Sequence, residues 1–180
     1  MIVVNLFAGP GSGKSTTCAG VFSKLKLAGV NCEMALEYAK DKVWENSLDV
    51  LDDQIYVFGK QLHRIKCLND KVDVIITDSP ILLSSVYNKE ESNYFDDLIV
   101  EQFHKFNNLN YYVVRDESFD MTGRIHNHEE SLEKDNQIKA LLNKYDISYK
   151  MVYKHNSVDT IVNDVMKILN LDSQKINFIV

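Results

Sequence analysis

The sequence predicts an α/β fold in three layers, with a five-stranded, mostly parallel sheet covered by helices on both faces. Three observations carry this prediction. Short apolar runs of strand length alternate with stretches of helical period along the chain. The first run, Ile2-Val3-Val4-Asn5-Leu6-Phe7, leads into Ala8-Gly9-Pro10-Gly11-Ser12-Gly13-Lys14-Ser15-Thr16. That is the strand, glycine-rich loop and helix order of a phosphate-binding P-loop. The run 72–77 is apolar except for Asp73, as suits a strand buried on both faces. Together they predict a P-loop NTPase fold of the nucleotide-kinase-like type. One domain is expected over residues 1–180, with a short lid near 116–130.

The elements follow in order. Residues 14–28 have helical spacing, with Cys18, Val21, Leu25 and Ala28 on one face, and Gly29 is placed to end the helix. Residues 30–36 read as the second strand, ending in Glu37-Tyr38-Ala39-Lys40, before a polar loop holding Asp41, Trp44 and Glu45. The spacing of Leu51, Ile55, Phe58, Leu62 and Ile65 predicts one helix over 48–68. The third strand, 72–77, ends in Asp78-Ser79-Pro80. A helix is expected over 93–106, a strand over 110–114 ending at Arg115, and a polar stretch over 116–127 with Gly123 and Arg124. A charged helix over 128–145, a strand over 147–153 and an amphipathic helix over 158–169 complete the pattern. The tail to Val180 is assigned no element.

Parallel sheets bind ligands outside the carboxyl ends of their strands. The P-loop, Glu37, Asp78 and Arg115 each follow a predicted strand, so the sequence converges on one site. Within the loop, Gly9, Gly11 and Gly13 let the backbone turn its N–H groups towards a phosphate chain, and Pro10, Ser12 and Thr16 complete the cradle. Ala8 stands where the motif usually has its first glycine. Lys14 can reach the β- and γ-phosphates of ATP, and the Ser15 hydroxyl can hold Mg²⁺. Asp78 can hold the same ion through water, accept a proton from an attacking hydroxyl, or cap the next helix. Glu37 can orient an acceptor hydroxyl or belong to a solvated loop, and Lys40, Tyr38 and Trp44 share that region.

The chain has three arginines, Arg64, Arg115 and Arg124. Phosphoryl transfer gathers negative charge, which planar guanidinium groups stabilise well. Arg115 at a strand end and Arg124 in the polar lid stretch are the candidates. Arg64, and the Asp52-Asp53-Gln54 cluster on the same expected helix, can face an acceptor or solvent. His104, His126, His128 and His155 have no metal-ligand spacing.

Bulk properties narrow the classes. The 180 residues carry a net charge of −6, against a broad nonspecific grip on nucleic acid. Cys18, Cys32 and Cys67 lack paired metal-ligand spacing and read as reduced, mostly buried thiols. No apolar run approaches the ~20 residues of a membrane span. The opening strand and loop do not resemble a signal peptide, so a cytoplasmic location is expected. Nothing decides between a monomer and a homodimer.

At the P-loop, Glu37-Tyr38-Ala39-Lys40, Asp52-Asp53-Gln54, Thr77-Asp78-Ser79-Pro80 and Gly123-Arg124, the chain resembles phage-encoded P-loop kinases. The nearest named group is the 5-hydroxymethyluracil DNA kinases of the thymidylate kinase-like fold, with the ribosylnicotinamide kinases more distant. The resemblance spans about residues 1–155. It implies transfer of the ATP γ-phosphate to a hydroxymethyl group on a base in phage DNA, in the host cytoplasm. It also implies that Lys14 and Ser15 bind ATP and Mg²⁺, that Asp78 is metal ligand or base, and that Arg124 is a lid arginine. Two further readings stay open: a kinase of a free nucleoside or nucleotide, and a P-loop ATPase acting as a regulatory switch or binding module.

Overall fold

The computed structural model describes residues 1–89, 93–115 and 128–171. The first strand, β1 (Ile2–Phe7), is buried along its whole length, so both of its faces are covered. It pairs in parallel with β3 (Val74–Thr77) on one side and β4 (Asn107–Val114) on the other. Beyond them lie β2 (Cys32–Met34) and β5 (Lys150–Tyr153), giving the order β2-β3-β1-β4-β5 with every pairing parallel. The apolar runs at β1 and β3 thus occupy adjacent positions inside the sheet, where β-branched side chains pack on both faces.

Helix α1 (Lys14–Leu27) leaves the loop after β1 and packs on α7 (Ser157–Ile168). The two approach closely: Thr17 and Ser157 share a hydrogen bond of 3.1 Å. A Cβ at Gly20 would come within 2.8 Å of Val158 Cγ2. Gly29 adopts φ +82°, the left-handed turn that ends α1 without a side-chain penalty. Elsewhere in the core, Phe103 of α5 (Asn93–His104) meets Phe7 edge to face, with ring centroids 6.5 Å apart.

Several boundaries differ from the sequence expectation. The helix expected over 48–68 is broken. A 3₁₀ turn, Leu48–Asp52, precedes α3 (Gln54–Lys66), and the Asp53 carboxylate accepts from Tyr56 N–H at 3.0 Å to start the new helix. Ile55, read as part of the apolar stripe, is exposed in the first turn of α3, while Val57, Phe58, Gln61 and Ile65 form its buried side. The polar loop after β2 is a helix, α2 (Tyr38–Trp44). A further short helix, α4 (Leu83–Tyr87), follows Pro80. The fourth strand begins earlier than expected because three asparagines disguise it. Asn5 Nδ2 donates to Asn108 Oδ1 and Asn110 Oδ1 at 2.9 and 3.0 Å, so these polar side chains satisfy one another within the sheet. Cys18 and Cys32 are buried as expected, but Cys67 is exposed.

The charged helix is present as α6 (His128–Lys144). Arg124, Gly123, His126, most of the expected lid and the tail beyond Leu171 lie outside the described residues. Among the described residues, no helix is long and apolar enough to cross a membrane.

Candidate active site

Sheet order brings the predicted residues together. Because β3 lies between β2 and β1, the residue that follows β3 stands between the residues that follow its neighbours. Asp78 is that residue, and both of its carboxylate oxygens are used. Ser15 Oγ donates to Oδ2 at 2.6 Å, and the Glu37 backbone N–H donates to Oδ1 at 3.0 Å. The side chain is only 3% exposed. One buried carboxylate therefore ties the end of the P-loop to the end of β2.

The loop has the conformation the glycine pattern calls for. Gly11 and Gly13 take φ values of +82° and +93°, where a Cβ would be strained. Lys14 Nζ folds back over the first turn and donates to the Ala8 and Gly9 carbonyls at 2.8 and 2.9 Å. Burial lowers its ammonium below the ordinary lysine range, and the nearby Glu37 and Asp78 carboxylates oppose that shift. The Ser12 hydroxyl is buried in the loop without a hydrogen-bond partner among the described residues. Buried hydroxyls are rarely left so, and a phosphate oxygen in the cradle would supply the acceptor. The residues present thus fit a nucleotide triphosphate. The Ser15 and Asp78 oxygens, already in contact, are a donor set suited to Mg²⁺.

Glu37 is held from its backbone. Thr77 Oγ1 donates to Ala35 O at 2.7 Å, and Arg64 Nη1 donates to Leu36 O at 2.8 Å. The Tyr38 N–H donates to Gln61 Oε1 at 2.9 Å. Together with Asp78, these bonds leave the turn from β2 into α2 little freedom. Burial raises the Glu37 carboxyl above its usual range, while Lys14 draws it back down and Asp78 pushes it further up. A carboxylate so placed, beside the loop lysine, can take a proton from a hydroxyl.

Arg115 follows β4, on the other side of β1. Its Nε and Nη2 donate to Asp135 Oδ2 of α6 at 2.9 and 2.8 Å. Arg64 is likewise paired with Asp41 and lies over the Tyr38 ring, 5.4 Å from its centroid. Asp52 and Asp53 do not reach the site: Asp52 pairs with Lys89 in solvent, and Asp53 caps α3. Trp44 is 63% exposed. Gln61 and Asp135 are the residues that the sequence does not single out. The one signal for Gln61 is a polar side chain on a buried stripe, and Asp135 is hidden among the many charges of α6.

Sheet order and loop give the P-loop NTPase fold. No protein-family model matches the chain, and no curated protein matches it. Among solved structures, the chain is similar to deoxyadenosine kinase from M. mycoides with bound dATP. The TM-score is 0.59 at 18% identity, over 93% of this chain and 99% of that one. A second structure of deoxyadenosine kinase from M. mycoides, with the products dCMP and a flexible dCDP bound, matches with a TM-score of 0.53 at 15% identity. It covers 93% of this chain and 98% of its own.

Proposed function

We propose that this chain is an ATP-dependent kinase that phosphorylates a hydroxyl group of a free nucleoside. The observation that carries the proposal is the Asp78 bridge, which ties Ser15 of the loop to the Glu37 backbone at one end of the sheet, where the Lys14 charge acts on the Glu37 carboxyl. In the reaction, the acceptor oxygen forms a bond to the γ-phosphorus as the bond to the ADP oxygen breaks. The hydroxyl proton passes to Glu37. Lys14 and the loop N–H groups hold the phosphates, with Ser12 giving its hydroxyl to them. Ser15 and Asp78 would hold Mg²⁺, which would supply neutralisation of charge on the phosphates. Arg115, and Arg124 outside the described residues, are assigned to the charge that gathers on the transferring group.

The charges near Glu37 support an uncharged acceptor. Arg64 and Arg115 are each paired with a carboxylate of this chain, Asp41 and Asp135. Beside Glu37, Asp78 and Asp41 add negative charge against Lys40, with Lys14 given to the ATP phosphates. An uncharged acceptor suits these surroundings better than one that already carries a phosphate. The similarity to deoxyadenosine kinase supports the same choice.

The test is transfer of labelled γ-phosphate from Mg-ATP to separate acceptors: deoxynucleosides, ribonucleosides, nucleoside monophosphates, ordinary DNA and 5-hydroxymethyluracil DNA. Label in a nucleoside is expected. Label confined to hydroxymethyluracil DNA would overturn the nucleoside acceptor in favour of the base in DNA. Release of ADP without transfer to any acceptor would favour the ATPase switch.

A further inference from the structure

Asp135 lies on α6, far from the loop in sequence, and is buried with 8% exposure. Its Oδ1 accepts from the Gly9 backbone N–H at 2.6 Å and from the Tyr112 hydroxyl at 2.8 Å. Its Oδ2 takes the Arg115 guanidinium at 2.9 and 2.8 Å. The Ala8–Gly9 peptide is thus held from both ends, because its carbonyl, that of Ala8, accepts from Lys14 Nζ at 2.8 Å. The fit is close enough to require glycine: a Cβ at position 9 would lie 2.5 Å from the Ser131 carbonyl oxygen of α6.

A buried carboxylate is costly without compensation. Here the compensating donors come from the P-loop, from β4 and from the residue that follows β4. A carboxylate serving only to anchor α6 on the sheet would need Tyr112 and Arg115 alone. The bond to Gly9 N–H adds a contact whose effect falls on the loop and, through the Ala8 carbonyl of the same peptide unit, on Lys14. Linked hydrogen bonds across one peptide unit strengthen each other in a low-dielectric interior.

We propose that Asp135 is a positioning residue of the nucleotide site, fixing from α6 both the first turn of the P-loop and the Arg115 guanidinium, so that ATP affinity depends on it. The inference rests on the nucleotide-binding part of the proposed function and not on the identity of the acceptor.

The test compares Asp135→Ala, Asp135→Asn and Tyr112→Phe with the wild-type chain, by calorimetric titration with Mg-ATP and by thermal melts followed by circular dichroism. Asp135→Ala leaves Gly9 N–H without its acceptor and is expected to weaken ATP binding about tenfold or more at temperatures where it is folded. Asp135→Asn keeps an oxygen for Gly9 but loses the charge opposite Arg115, and is expected to weaken binding about threefold to tenfold. Tyr112→Phe removes a bond to the same carboxylate without touching the loop. It is expected to lower Tm while leaving ATP affinity within about twofold. A folded Asp135→Ala with wild-type affinity overturns the proposal. If Asp135→Ala does not fold, wild-type affinity in Asp135→Asn overturns it. Losses of affinity in Tyr112→Phe as large as those at Asp135 would also overturn it, because anchoring of α6 would then be the whole effect. A wild-type chain that binds no ATP overturns both this proposal and the proposed function, whereas ATP binding without phosphoryl transfer overturns the proposed function alone.

Discussion

Asp78 holds Glu37 through the backbone and not through the side chain: its Oδ1 accepts from Glu37 N–H at 3.0 Å. The Glu37 carboxylate is thereby placed without being neutralised, and remains available to a proton donor. The other oxygen of Asp78 accepts from Ser15 at 2.6 Å, so the acid that fixes the proposed base also meets the loop residue suited to Mg²⁺. The P-loop and the turn from β2 into α2 share one buried group.

Lys14→Ala is expected to abolish phosphoryl transfer while the melting profile stays close to that of the wild type. The ammonium bridges two loop carbonyls, and Thr17, Cys18, Val21 and Leu25 remain as the buried side of α1. Labelled-phosphate transfer and circular dichroism on one sample check this. Full activity in the variant would contradict the role of the loop.

Ser15→Ala is expected to raise the Mg²⁺ concentration needed for half-maximal transfer, and full chelation of Mg²⁺ is expected to stop transfer in every variant. The side chain is exposed at the mouth of the loop, so its loss leaves no cavity. Magnesium titration of the initial rate is the measurement.

Asp53→Ala is expected to cost about 1 kcal/mol of stability, because its carboxylate caps α3 through Tyr56 N–H. Urea unfolding checks the magnitude. The ATP affinity should not change, since Asp53 lies away from the loop.

Thiol reactivity should divide the three cysteines. Burial pushes the Cys18 thiol up to about 12 and the Cys32 thiol up to about 11, so at pH 8 neither carries much thiolate and neither is accessible. Cys67 is exposed. Titration with a coloured thiol reagent at pH 8 is expected to label Cys67 alone in the native chain, and Cys18 and Cys32 as well after denaturation.

The site was legible where its chemistry is local. Loop, strand and helix are contiguous from Ile2 onward, and Glu37, Asp78 and Arg115 each sit just beyond a strand whose apolar run marks its end. What the sequence hides is contact across distance. Asp135 meets Gly9 across 126 positions, and nothing in the charged pattern of α6 separates it from its solvated neighbours. Gln61 interrupts a stripe of buried apolar residues, and its purpose emerges only once Tyr38 N–H is found against it. The break before α3 was obscured because Leu51 and Ile55 continue the helical spacing, while the competing cap from Asp53 is a single short-range bond. Asparagines at the start of β4 mask strand character that only Asn5, on the neighbouring strand, makes tolerable.

Glu37 is proposed to take the proton from the acceptor, and Glu37→Gln tests this most directly. The measurement is kcat against pH for wild type and variant, with ATP affinity determined alongside. In the wild type, a protonated Glu37 cannot act as base, so kcat should rise with pH through an acid limb. Burial places the midpoint of that limb above the ordinary value of 4.5. The variant should lose about 100-fold or more in kcat, lose the acid limb and bind ATP with unchanged affinity. An unchanged kcat, or an acid limb that persists in Glu37→Gln, would contradict the account.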